Sequence, residues 1–274
     1  MAAPLAVTRE GTTLAGEVAG SGPAVLALHG LTATRRYVLM GSRALERGGH
    51  TVIAYDARGH GASSPAAEGR YDYPALVADA ATVLDAAGVE RAVLAGVSMG
   101  AHTAVALALA MPERVAGLAL VTPAFDPQAE LVTASWDALA GGLRSAGIEG
   151  FLAAYDFDGM PAQWRAGARR VIEQRLVAQE HPAALADALE QVPRSRPFES
   201  YAQLATIEAP VVIVASRDEA DPGHPLALAE HWARTIPGAQ LAVEDPGQSP
   251  LAWQGGRVSA LIAELVAAAP RESA

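Results

Sequence analysis

Five residues, Gly96-Val97-Ser98-Met99-Gly100, constrain this chain more than any others. The apolar run Arg91-Ala92-Val93-Leu94-Ala95 precedes them and the alanine-rich run from Ala101 to Ala110 follows. The order is strand, sharp turn, helix. Such a turn lifts the Ser98 hydroxyl out of the backbone at the head of a helix, and glycine two residues to either side avoids a clash there. Ser98 is therefore a candidate nucleophile, although the pentapeptide by itself also fits an ordinary tight strand-to-helix turn.

The chain is long enough, at 274 residues, to bury a large core, and an α/β domain of this size commonly runs as one unit. Hydrophobic residues make up 51%, with alanine carrying most of that share. No run reaches the roughly 18 strongly apolar residues that a membrane helix needs. Even the stretch from Ala101 to Phe125 is cut by Pro112-Glu113-Arg114. Residues Met1 to Glu10 carry neither a basic start nor an apolar core, so a cytoplasmic location without membrane association is expected. Cysteine is absent, which removes disulfides and thiolate chemistry. All 20 basic residues are arginine, and asparagine is also missing, a bias read as G+C-rich coding in a bacterium. Without lysine there is no Schiff base and no P-loop lysine. A net charge of −10 with scattered arginines argues against nucleic acid as a partner.

Short β-type runs alternate with amphipathic ones, the pattern of a mostly parallel sheet with helices on both faces. Strands are expected at 5–9, 13–18, 24–29, 51–56, 91–96, 116–121, 210–215 and 239–244, and helices at 34–47, 74–87, 99–110, 225–235 and 256–268. The alternation fails only between Asp126 and Thr206. There Trp136-Asp137-Ala138-Leu139, Arg169-Arg170-Val171-Ile172 and Ala183-Ala184-Leu185 read as consecutive helices with no strand between them. A helical lid at the C-terminal edge of the sheet follows, with Pro193-Arg194-Ser195-Arg196-Pro197 as its return to the core. Arg194 and Arg196 are either solvated or anion-binding.

Four motifs stand in order: Leu28-His29-Gly30, Asp56-Ala57-Arg58-Gly59-His60-Gly61, Gly96 to Gly100, and Asp221-Pro222-Gly223-His224-Pro225. Together they resemble the α/β-hydrolase fold family over nearly the whole chain. The resemblance implies an α/β architecture: a mostly parallel eight-stranded sheet with helices on both faces and a helical cap inserted after the sixth strand. The core would be 1–125 and 207–274, and the cap 126–206. It implies Ser98 as nucleophile and Asp221 as triad acid, with Asp218 and Asp126 as alternative acids. The oxyanion hole would be the backbone N–H groups of Leu31 and Met99. His29 and His60 would be structural turn residues, and His102, on the helix after the turn, a core histidine.

The family places its catalytic histidine on the loop after the last strand, and there this chain reads Glu244-Asp245-Pro246-Gly247-Gln248-Ser249-Pro250, with Gln248 at the histidine position. An amide cannot take a proton near neutral pH. His224 could replace it, reaching Ser98 directly or through water, or it is a plain loop residue ahead of Pro225; His181 and His231 are more remote. Three readings follow. One is a serine hydrolase of an ester, thioester or lactone-like small molecule with an atypical or compromised triad. The second is a non-hydrolytic enzyme of the same fold, a lyase or cyclase, and the third an inactive small-molecule binding protein. No cofactor or metal is expected, because no His/Asp/Glu cluster shows ligand spacing apart from the acid loop. The substrate is expected to be apolar, with Trp136, Phe151, Tyr155, Phe157 and Trp164 as lining residues from the lid. Nothing in the sequence sets the oligomeric state.

Overall fold

The computed structural model describes residues 2–217 and 221–269, and within them the chain builds one eight-stranded sheet. The strands are β1 (Ala3–Arg9), β2 (Thr12–Gly20), β3 (Ala24–Leu28), β4 (Thr51–Tyr55), β5 (Ala92–Val97), β6 (Val115–Val121), β7 (Val211–Ala215) and β8 (Gln240–Val243). They lie in the order β1-β2-β4-β3-β5-β6-β7-β8. β2 runs antiparallel to both β1 and β4, and every later pairing is parallel.

Successive residues on a strand face opposite sides, so the near-continuous apolar runs of the central strands feed two cores at once. Leu26, Leu94, Leu118 and Ile213 pack on one face with residues of α2 (Tyr73–Ala86), α3 (Met99–Ala110) and α8 (Leu226–Thr235), including the fully buried Trp232. Val25, Val93, Ala119 and Val214 pack on the other with α1 (Ala44–Arg47) and α9 (Gly255–Ala268).

One expected helix, 34–47, is replaced by a 3-10 turn at Arg35–Tyr37 and the single turn of α1. The break has two causes. Met40 and Gly41 take positive φ (47° and 75°), which ends any right-handed helix. Arg35 is also claimed by Asp56, which accepts from both its backbone N–H and its guanidinium.

Between β6 and β7 the chain leaves the sheet for α4 (Ala134–Ala154), α5 (Ala162–Val177), α6 (Pro182–Gln191) and a 3-10 turn, Val192–Arg194, before the short α7 (Tyr201–Leu204) leads back. The three long helices fall on the three segments that lacked strand character in the sequence. α4 is kinked at Ala146–Gly147, where Gly147 has φ 61°. These helices share an apolar centre of Leu139, Leu143, Phe151, Leu176, Leu185 and Leu189, against which Leu31 of the loop after β3 packs. α6 also packs on the sheet-bearing part, with Ala184, Ala188 and Val192 against Tyr71, Tyr73 and Met99.

Candidate active site

Ser98 sits between β5 and α3 at φ 50°, ψ −112°, outside the basins a serine prefers. Residues held in such conformations cost on the order of 1–3 kcal/mol and persist only where the surroundings over-determine them. Here they do. The Ser98 N–H donates to Val121 O (2.9 Å), and its C=O accepts from His102 N (3.0 Å). A Cβ at position 96 would lie 2.2 Å from Gly100 O, and one at position 100 would lie 2.0 Å from Leu28 O. Only glycine permits these crossings, and the turn leaves Ser98 partly exposed.

Two backbone donors flank it. Met99 opens α3, so its N–H has no carbonyl one turn earlier to meet. Leu31 follows Gly30, where an added Cβ would come within 3.5 Å of Ser98 Cβ, so the 30–31 segment lies against the turn. Neither the Leu31 nor the Met99 amide donates a hydrogen bond among the described residues. His29 braces this loop. Its Nε2 accepts from Ala57 N and its Nδ1–H donates to Gly30 O, both at 2.8 Å, and burial holds its pKa below the usual value.

The remaining groups come from the loop after β7. Asp221-Pro222-Gly223-His224 is a turn in which His224 N donates to Asp221 O (3.1 Å). Asp at the first position and Pro at the second are the residues that a type I turn favours. The turn folds the two side chains together: His224 Nδ1 lies 2.9 Å from Asp221 Oδ2, and His224 Nε2 lies 2.9 Å from Ser98 Oγ. A carboxylate only accepts, so Nδ1 carries the proton and Nε2 is left to accept from the serine hydroxyl. Burial pushes the Asp221 carboxyl up, but His224, with Arg175 and the Gly223 amide, outweighs it and holds the pKa below the ordinary carboxylate value.

The other sequence candidates are occupied elsewhere. Asp126, an alternative acid, accepts from Tyr201 Oη and Gln128 N at 2.9 Å each. Asp218 lies outside the described residues. Gln248 is exposed after β8, and its amide meets Asp245 and Arg257. His102 is buried between Tyr73 Oη and Ala124 N, with its pKa pushed down to about 3 chiefly by burial. His60 is buried and its pKa likewise lowered to about 3. His231 packs on Tyr201, and His181 precedes α6. Arg194 pairs with Asp137, and Arg196 with Glu199 and Pro127 O. Phe151 is buried in the helical block's own centre, with Trp136, Tyr155 and Phe157 partly buried against it, and Trp164 meets Trp253 edge-on at 5.8 Å.

One residue at this site carried no signal in the sequence. Arg175, on α5, lies within electrostatic reach of Asp221 and near Tyr37 and Tyr155, and its guanidinium stands 5.2 Å from the Tyr37 ring centre. Nothing in the local pattern distinguishes it from Arg169 and Arg170 on the same helix.

Comparison with known proteins agrees with this architecture. Residues 23–152 match the family model described as alpha/beta hydrolase fold. A curated relative from Variovorax paradoxus, named carbamate hydrolase RutD, is 33% identical over 200 residues, covering 73% of this chain and 75% of its own. Among solved structures, a thermophilic esterase from Thermogutta terrifontis with malate bound superposes with a TM-score of 0.80 at 27% identity, covering 97% of this chain and 98% of that one. The enol-lactonase from Burkholderia xenovorans, at 20% identity, shares the fold with a TM-score of 0.78 over 97% of this chain and 100% of its own. The chain belongs to the α/β-hydrolase fold family.

Proposed function

We propose that this chain is a serine hydrolase of small acyl esters whose triad is Ser98, His224 and Asp221, with the base carried on the acid loop instead of the loop after β8. The observation that carries the reading is the continuous chain Asp221 Oδ2, His224 Nδ1, His224 Nε2, Ser98 Oγ, each contact at 2.9 Å. That is the geometry a nucleophile needs from its base, and the base from its orienting acid. The kinship with named hydrolases and esterases supports the same class.

In the first half-reaction Ser98 Oγ bonds to the ester carbonyl carbon while its proton passes to His224 Nε2. The carbonyl electrons move onto oxygen, where the amides of Leu31 and Met99 are free to donate. Preformed backbone donors stabilise that charge without reorganising. Collapse breaks the bond to the alcohol, which leaves with the proton from His224, and the acyl group stays on Ser98. Water then repeats the sequence: His224 takes its proton, the oxygen bonds to the acyl carbon, and Ser98 is released with the acid. Asp221 remains ionised and holds the imidazole in the required tautomer. The helices of 126–206 act as a cap over this site and shape what enters it.

The decisive experiment is labelling and turnover together. A fluorophosphonate probe labels the wild type at Ser98, and Ser98→Ala removes the label. Ser98→Ala and His224→Ala each lower kcat on p-nitrophenyl esters by up to about 10⁶-fold, and Asp221→Ala by about 10⁴-fold, the scale known for a serine-protease triad. A well-folded wild type that neither labels nor turns over any ester would instead favour the binding-protein reading.

A further inference from the structure

The hydrolytic reading of Ser98, on which this inference rests, leaves open what the site selects. Gln179, one turn beyond Arg175, is buried and ties the end of α5 to the loop that carries Leu31. Its Nε2 donates to Thr32 O (3.0 Å) and Ala33 O (3.3 Å), and its Oε1 accepts from Gly61 N (2.7 Å). Gln179 follows Ala178, the C-cap of α5, so this anchor fixes the last turn of the helix, which carries Arg175, against the loop. The anchor also reaches Arg175 directly, because Gln179 Nε2 donates to Arg175 O at 3.0 Å.

The guanidinium held there has no counter-ion in contact. Its Nε is buried without a hydrogen-bond partner, and among the described residues none of its nitrogens makes a hydrogen bond or an ion pair. Tyr37 supports it from one side through its ring face. Asp221 is near, but its Oδ2 is engaged by His224. By contrast, Arg58, fully buried elsewhere in the chain, is satisfied by Asp79 and Glu68. A guanidinium whose Nε is buried without a partner is under-satisfied at a cost, and the fork geometry of the group matches a carboxylate.

We infer that Arg175 is the anchor for a carboxylate on the substrate, so that the enzyme takes esters bearing a second, ionised carboxyl group, such as half-esters of short dicarboxylic acids. The anionic end pairs with the fork of Arg175 above Tyr37, and the scissile carbonyl lies at Ser98 between the Leu31 and Met99 amides. This modifies the expectation of a wholly apolar substrate: the aromatic and aliphatic side chains of the helical block would contact the carbon chain between two polar ends.

The test separates binding from turnover. Monomethyl glutarate and methyl pentanoate, matched in length and differing in charge, are titrated calorimetrically into Ser98→Ala protein with and without Arg175→Leu. The half-ester is expected to bind at least about 30-fold tighter than the neutral ester, and Arg175→Leu removes that preference, as loss of one partner of a desolvated charge pair does. Arg175→Lys, which keeps the charge and most of the bulk, retains part of it and guards against a folding artefact. In otherwise wild-type protein, the ratio of kcat/KM for p-nitrophenyl hemiglutarate over p-nitrophenyl pentanoate falls by the same factor in Arg175→Leu. Equal binding of the two esters, or a preference that survives Arg175→Leu, overturns the anchor. A half-ester that binds through Arg175 but is never cleaved, in protein that also resists the fluorophosphonate, upholds the anchor and defeats the hydrolytic reading.

Discussion

At the scale of single residues, the proposed chemistry turns on which side chain meets Ser98 Oγ, and among the described residues only His224 does so with its far nitrogen already held by a carboxylate. Gln248 stands exposed with Asp245 and Arg257 as its neighbours. Gln248→His is therefore expected to change kcat/KM on p-nitrophenyl esters by less than about threefold, since exposed substitutions away from special features have small effects. A gain of a hundredfold would show that the loop after β8 swings onto Ser98 and that His224 is not the working base. The proposed nucleophile is legible in the sequence itself, because Gly96 and Gly100 mark a backbone crossing that needs no tertiary information. The proposed acid and base are legible as residue types on one loop. Their contact is not, since it depends on the Asp-Pro-Gly-His turn bringing two side chains to 2.9 Å. Arg175 is illegible altogether. Its distinction is the lack of a partner, a property of packing that one helix sequence does not carry.

At the scale of elements, the sheet is readable strand by strand because its central strands are apolar on both faces and are punctuated by glycine, proline and charged turns. The failure at 34–47 has the opposite character. Apolar and charged residues there satisfy helical spacing, but Asp56, twenty-one positions from Arg35, competes for the backbone and wins. Long-range polar contacts of this kind also decide how the helical block sits on the sheet. Gln179 is the clearest case, spanning from α5's end to Gly61, Thr32 and Ala33. Gln179→Ala strands a buried Gly61 amide and frees the carbonyls of Thr32, Ala33 and Arg175, at a cost of about 1–3 kcal/mol. For a domain of this size that lowers Tm by roughly 2–4 °C per kcal/mol. Calorimetry should find that drop, with a loss of ester turnover larger than the stability change explains, because the loop bearing the Leu31 amide loses its brace. An unchanged Tm would mean that the block is held by its apolar contacts alone.

At the scale of the whole molecule, acid stability follows from three histidines kept neutral by burial: His29, whose pKa is lowered, and His60 and His102, each at about 3. In the unfolded chain the same side chains titrate near 6.5, at about the ordinary value. Between those limits the unfolded state binds more protons than the native one, so stability rises with pH. The contribution is complete above about 6.5 and is lost as pH falls toward 3. Asp221, held below the usual carboxylate value, adds a loss of the same sign at lower pH. The net charge of −10 opposes this trend, because acidification relieves repulsion among the acidic residues. That repulsion acts mostly between exposed groups and is screened beyond about 8 Å at physiological ionic strength, whereas buried groups are screened much less. The histidines should therefore dominate, and Tm should fall between pH 7 and pH 4.5. His102→Gln isolates one of them, because a glutamine amide can still accept from Ala124 N and donate to Tyr73 Oη, yet cannot titrate. The variant is expected to melt lower than the wild type at pH 7.5 and to show a shallower decline in Tm across pH 6.5 to 4.5. Parallel declines in the two proteins would mean that His102 protonation is not coupled to unfolding, and the acid sensitivity would then belong to His29, His60 or the carboxylates.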